Sequence, residues 1–152
     1  MSLEDQIKQT FFSNQTEKSF VNISYTHSYI SGKINGRFKP QNISMQQYNV
    51  LRILKGQHPK PVSVNDITDR MIDKMSNASR LVEKLRSKEL IERKQCVFDK
   101  RQVDVCLTAK GLELLNTLNS QIAELIKEHS HLTIEEYETL NLLLDKLRIQ
   151  EK

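Results

Sequence analysis

Residues 76–86 read Ser76-Asn-Ala-Ser-Arg-Leu-Val-Glu-Lys-Leu-Arg86, and this stretch decides the fold. Apolar residues recur at positions 78, 81, 82 and 85, which is the spacing of one face of an α-helix. The other face carries short polar side chains first and long cations afterwards. A DNA-reading helix needs this order, because its N-terminal end approaches base edges while longer side chains reach phosphates. The stretch therefore predicts a recognition helix over residues 76–88, with an ordinary solvated surface helix as the alternative.

The segments around this helix complete a familiar order of elements. A short helix is predicted before it, over residues 65–71, and two alternating segments follow it at 90–98 and 102–107. We expect these segments to pair as a hairpin with Val97 opposite Val103, and with its tip at Asp99-Lys-Arg101. Hairpin tips usually prefer Asn-Gly or Asp-Gly. The cations Lys100 and Arg101 therefore predict a contact with a minor groove or with phosphates.

Helices are predicted on both sides of this unit. A long first helix runs to about residue 37, and Ser44-Met-Gln-Gln47 is a capping box that starts the next one. Thr108 caps a further helix, and Thr133-Ile-Glu-Glu136 is a capping box for the last. The expected fold class is mainly α with a small β-hairpin wing. It is a winged helix-turn-helix flanked by N- and C-terminal dimerisation helices.

The flanking helices carry more apolar residues than one core requires. The first helix is apolar on more than one side, and Leu142 and Leu143 broaden the stripe of the last helix. We therefore expect a homodimer related by a twofold axis. Residues 1–38 and 109–152 are predicted to form the helical dimerisation region, and residues 44–108 the winged helix-turn-helix.

The overall composition is that of a globular chain with uneven charge. The 152 residues are 38% hydrophobic and 28% charged, and they contain no apolar run long enough to span a membrane. Residues 60–101 hold 11 Lys and Arg against 7 Asp and Glu, whereas residues 102–152 hold 5 against 9. Such asymmetry favours a protein that presents one side to phosphates. A length of 152 residues predicts a single domain. With 2 cysteines and no predicted signal peptide, we expect this domain in the reducing cytoplasm.

Catalytic and cofactor motifs are not found. The sequence has no Gly-rich phosphate loop, no Gly-x-Ser-x-Gly elbow and no His-Glu-x-x-His helix, so we predict neither an enzyme nor a bound cofactor. His129 and His131 lack further ligands, so no metal site is predicted. The cysteines Cys96 and Cys106 both fall in the wing, with Cys96 expected opposite Asp104. Two reduced structural thiols are the favoured interpretation, and a redox-responsive regulator is the alternative.

The chain carries four short motifs: Ser76-x-x-Ser-Arg80-Leu-Val-x-x-Leu85, Leu90-Ile91-x-Arg93, Asp99-x-Arg101 and Leu107-Thr-x-x-Gly111. Together they resemble the MarR family of bacterial transcription regulators. The resemblance covers essentially the whole chain as one domain. It implies a homodimeric, sequence-specific DNA-binding regulator. Such a protein usually represses from a pseudo-palindromic double-stranded operator and releases it when a small ligand or an oxidant acts.

The same resemblance assigns expected site residues. Ser76, Asn77, Ser79 and Arg80 would lie at the major groove, and Arg101 would enter the minor groove with Asp99 orienting it. Lys84 and Lys100 are added from their charge and position. The family often has Gly where this chain has Ile72 and Glu89. A non-Gly residue in a left-handed turn costs about 1–2 kcal/mol, so the geometry of these turns needs inspection.

A pocket for an effector is expected between the first helix, the last helices and the DNA-reading unit. Its candidate lining residues are Tyr25, His27 and Tyr29, although aromatic residues at helical spacing also suit a core. A protein-interaction module built on the winged-helix scaffold is a further alternative. The cations Arg80, Lys84 and Lys100 argue against it, because they suit phosphates.

Overall fold

The computed structural model describes residues 1–95 and 103–149. Within them lie seven α-helices, a 3₁₀ turn and three strands. The helices are α1 (Leu3–Ile7), α2 (Gln15–Phe38), α3 (Met45–Gln57), α4 (Val64–Arg70), α5 (Ala78–Ser87), α6 (Ala109–His129) and α7 (Ile134–Leu147). The strands are β1 (Val62–Ser63), β2 (Ile91–Gln95) and β3 (Val103–Leu107), and the 3₁₀ turn is Lys39–Gln41. The predicted fold class, a mainly helical chain with a small β wing, is confirmed.

The three strands form an antiparallel sheet in the order β1-β3-β2. In the wing, Ile91 pairs with Leu107 and Gln95 pairs with Val103. The predicted pairing of Val97 with Val103 is therefore wrong by two residues. A shift of two keeps every side chain on its expected face, so the alternating pattern did not distinguish the two registers. The predicted tip at 99–101 lies outside the described residues.

One hydrophobic core joins the helix-turn-helix, the sheet and the first half of α6. Its fully buried side chains include Leu51 of α3, Ile67 of α4, Val82 of α5, Val105 of β3 and Leu115 of α6. Each supplies about 1.5–3 kcal/mol when taken out of water. This core fixes α5 against α3 and α4, so the polar face of α5 points outward.

Side-chain caps set the helix starts. The predicted capping boxes Ser44–Gln47 and Thr133–Glu136 are both present, and Thr108 caps α6. Helix α4 begins one residue earlier than predicted, and helix α5 begins two residues later. The cap of α4 is Ser63, and that of α5 is Asn77, whose side-chain oxygen accepts from the Arg80 N–H at 3.0 Å.

The segment between α5 and β2 is a left-handed helix termination. Glu89 has φ 61°, and the Leu90 N–H donates to the Leu85 carbonyl at 3.1 Å while the Glu89 N–H donates to that of Arg86. This Schellman arrangement normally favours Gly at the left-handed position. The concern about Glu89 is therefore confirmed. Ile72 has no positive φ, so its turn is built differently.

The start of α6 is locked onto this termination. The Leu90 carbonyl accepts from the Thr108 N–H at 3.2 Å, and the Thr108 hydroxyl donates to the Glu89 carbonyl at 2.7 Å. A Cβ placed on Gly111 would lie 2.0 Å from the Leu90 oxygen. Only glycine lets the two segments approach this closely, which explains the Leu107-Thr-x-x-Gly111 motif.

The last helix, α7, is poorly covered. None of its residues, all of which the structure describes, is buried. Leu142 is 71% exposed and Leu143 is 60% exposed. Across residues 1–95 and 103–149, no helix is both long and apolar enough to cross a membrane.

Candidate nucleic-acid interface

Helix α5 separates an apolar face from a cationic one. Ala78, Val82 and Leu85 are buried in the core, whereas Ser79, Arg80 and Lys84 are exposed. Among the described residues, neither Arg80 nor Lys84 has a carboxylate partner. Two unneutralised cations one helical turn apart suit phosphate oxygens, and the exposed Ser79 lies beside them.

Ser76 and Asn77, the two polar residues predicted at the N-terminal end of α5, differ in exposure. Asn77 is exposed and uses its side-chain oxygen as the helix cap, which leaves its amide N–H₂ free to donate. The hydroxyl oxygen of Ser76 is instead buried, without a hydrogen-bond partner in the part of the chain that is described. The structure therefore does not bring the Ser76 hydroxyl to the surface with Asn77, Ser79 and Arg80.

A groove runs along α5 beside the start of α3. It encloses about 340 Å³ and is lined by Ser44, Gln46, Asp73, Ser76, Asn77, Arg80, Leu81 and Lys84. Ser44 and Gln46 were not predicted as site residues. The capping box at Ser44 gave the available signal, because it marks a helix end whose amide groups point outward.

An ion-pair network ties the wing to α5. Glu83 of α5 contacts Arg93 of β2 and accepts from Arg86 at 3.2 Å. The contact fixes β2 relative to the recognition helix, although Glu83 and Arg93 are both partly exposed. Sequence reasoning missed this link, since Glu83 and Arg93 are ten residues apart and belong to different elements. The predicted wing residues Asp99, Lys100 and Arg101 lie outside the described part of the chain.

Cys106 is a structural thiol in the sheet. It is 6% exposed, lies opposite Glu92 in the sheet, and its Sγ is 3.4 Å from the Glu92 carboxylate. Burial, and then the hydrogen bond to Glu92, raise the pKa of the Cys106 thiol. A raised pKa lowers the thiolate fraction and hence the reactivity. The structure places Lys94, not Cys96, opposite Asp104, and Cys96 itself lies outside the described residues.

The three candidate pocket residues do not line one common cavity. His27 lines a cavity of about 560 Å³ between α2, α3 and the turn before α5, together with Met45, Asn49, Ile72 and Asp73. Tyr29 lines an apolar cavity of similar size between α2, α6 and α7, and its ring meets that of His129 edge-on at 6.0 Å. Tyr25 donates to Gln6 and lines a shallow depression with Tyr29. The predicted set is therefore not one pocket. Tyr25 and Tyr29, one helical turn apart, share a face of α2, whereas His27 lines a different cavity.

Comparisons with known proteins agree with this geometry. The model of the MarR family matches residues 43–103. The chain is 29% identical over 143 residues to the HTH-type transcriptional regulator MhqR of Bacillus subtilis, covering 90% of this chain and 96% of that protein.

Two solved structures share the fold. A putative MarR-like transcription regulator from Bacillus cereus superposes with a TM-score of 0.77 at 22% identity, covering 88% of this chain and 96% of its own. BpsR of Bordetella bronchiseptica superposes with a TM-score of 0.74 at 18% identity, covering 93% and 99%. DNA binding by BpsR is regulated by 6-hydroxynicotinic acid.

Proposed function

We propose that this chain, which belongs to the MarR family of DNA-binding transcription regulators, is a homodimeric repressor. In this proposal it binds a pseudo-palindromic operator and leaves it when a small molecule binds. One observation carries the proposal. Helix α5 is anchored by a buried apolar face while Arg80 and Lys84 stand exposed on the other, with no carboxylate neutralising them among the described residues.

The proposed contacts follow from position along α5. Asn77 and Ser79 are near the N-terminal end, where side chains reach base edges, and Lys84 is a turn later, where a phosphate is the natural partner. Arg80 can reach either. The wing cations Lys100 and Arg101, with Asp99, remain proposed minor-groove residues. We leave Ser76 out of the base contacts, because its hydroxyl is buried.

A second copy of the chain is the proposed cover for the exposed apolar helices. The large apolar side chains left open to solvent lie mainly on three helices: Phe20, Ile23 and Ile30 on α2, Ile126 on α6, and Leu140, Leu142, Leu143 and Leu147 on α7. A twofold interface would bury them together. Two copies of α5 would then read half-sites about one helical turn of DNA apart.

The cavity at His27 is the proposed effector site. It lies between α2 and the turn at Ile72 and Asp73, which leads directly into α5. A ligand there would bear on the position of the recognition helix. For BpsR the regulating molecule is 6-hydroxynicotinic acid; for this chain we propose a small molecule without specifying its class.

The function is tested by selecting bound sequences from a random duplex library. We expect a two-part site, and a binding constant that falls steeply with salt, since each phosphate contact contributes about −0.9 to the log–log slope. Arg80→Ala should weaken binding to the selected site by roughly 1–3 kcal/mol. The matched control is Lys55→Ala, an exposed cation at the far end of α3. A wild-type protein that retains no duplex at low salt would favour the protein-interaction module.

A further inference from the structure

A cationic cavity lies behind the recognition helix. It encloses about 710 Å³ between the end of α2, the start of α3 and the C-terminal half of α5. Three lysines line it, Lys39, Lys84 and Lys88, and no carboxylate is among its described lining residues. The other polar groups that line it are neutral and include Asn35, Ser44 and Ser87. Among the described residues, no carboxylate therefore compensates its charge.

Lys88 lies partly buried in this cavity. Its ammonium donates to the main-chain carbonyl of Asn42. Burial, and then the neighbouring Lys84, lower the pKa of Lys88. Within the described residues none of the three lysines has an ion pair. A bound anion would offset the repulsion between Lys84 and Lys88.

Gln47 supplies a neutral hydrogen-bond donor to the cavity. Its side chain is 5% exposed and lines the cavity. Its oxygen accepts from the Ser44 N–H at 3.0 Å, while its amide nitrogen donates to no described residue. That nitrogen is therefore available to an oxygen acceptor in the cavity. It stands at the start of α3, where first-turn N–H groups also favour an anion.

We propose that the cavity formed by Lys39, Lys84, Lys88 and Gln47 binds a phosphoryl group. Lysine ammonium groups, an amide donor and a helix N-terminus together suit its oxygens. The group has two sources, a backbone phosphate of the operator or a phosphorylated small molecule. The DNA source rests on the proposed function. Continuity favours it, because Ser44, Leu81 and Lys84 line both this cavity and the groove along α5.

The first measurement uses the free protein and inorganic pyrophosphate in chloride buffer. Saturable shifts of the backbone amide resonances are expected at residues 44–47 and 84–88. Lys39→Gln should weaken this binding about tenfold, because a hydrogen bond to a charged group is lost. Lys55→Gln makes the same change of charge at the opposite end of α3 and should bind like wild type. Thermal melts of both variants establish that they are folded.

The second measurement distinguishes the two sources. For a DNA phosphate, Lys39→Gln should reduce the magnitude of the salt slope by about 0.9, with Lys55→Gln unchanged. A wild-type slope together with pyrophosphate binding assigns the site to a free phosphorylated molecule. If pyrophosphate causes no shifts in the cavity and all slopes agree, the proposal is overturned. Wild-type DNA binding in that same experiment would leave the regulator function intact.

Discussion

Gly111 is the residue on which the connection between the recognition helix and α6 depends. An added methyl group would overlap the Leu90 carbonyl oxygen, which lies on the backbone and has little room to move. We expect Gly111→Ala to lower the free energy of unfolding by about 1–3 kcal/mol or more, measured by urea denaturation. Gly56→Ala is the control, since a Cβ there meets no described atom within 4 Å. It should be neutral or stabilising, and equal stability of the two variants would contradict the packing argument.

Cys106 should behave as an inert thiol. Burial raises its pKa, so a smaller fraction is thiolate at a given pH, and the sulfur is also shielded from reagents. We expect alkylation by iodoacetamide at about pH 8 to be much slower in the folded protein than in urea. Mass spectrometry of the peptides separates Cys106 from Cys96. Equal rates for Cys106 in the two states would restore the redox interpretation for this residue.

At the scale of elements, the link between Glu83 and Arg93 orients the wing. Glu83→Gln should change the free energy of unfolding by no more than about 1 kcal/mol, because exposed ion pairs contribute little. It frees Arg86 and Arg93 to meet any phosphate. We therefore expect the affinity for random duplex to rise relative to that for the selected site, measured by competition binding.

The control for this experiment is Glu113→Gln, an exposed carboxylate on α6 that removes the same charge away from the wing. It should leave the affinity ratio at the wild-type value. An unchanged ratio in Glu83→Gln would mean that the wing is oriented by other contacts.

Local chemistry made much of the element structure predictable. The caps at Ser44, Thr108 and Thr133 act over three residues, so the sequence alone identified them. The same reasoning missed α1, whose capping box uses Asp5 in place of Glu or Gln. The wing register failed for a different reason. The register was inferred from the apolar side chains that share one face, and a shift of two residues leaves that pattern unchanged. The main-chain pairing, which sets the register, was therefore not determined by the alternation of side chains.

At the scale of the whole molecule, we expect α7 to form part of the dimer interface. Leu143→Glu would place a charge in the proposed interface, so we expect a monomer in sedimentation equilibrium and loss of binding to the two-part site. Asn141→Glu adds the same charge at a neighbouring exposed position that is polar already. We expect that variant to remain a dimer, and a dimeric Leu143→Glu would place the interface elsewhere.

Cavities were the least predictable feature at this scale. Tyr25, His27 and Tyr29 lie close in sequence, yet α2 turns them toward different neighbours, and only the packing of α3, α6 and α7 decides what each one lines. The lysine cavity was also missed. Lys39 and Lys88 are far apart along the chain, and they meet because α2 and α5 both pack against α3.

The main-chain contacts of Leu90 with the first turn of α6 connect the winged helix-turn-helix tightly to α6. In the proposed dimer, a small tilt of either copy of α6 would therefore move the recognition helix attached to it. The distance between the two recognition helices would then depend on the angle at which the two copies of α6 cross. In the proposed dimer, an effector would need to change only that angle to move the two recognition helices out of register with the turn of the double helix.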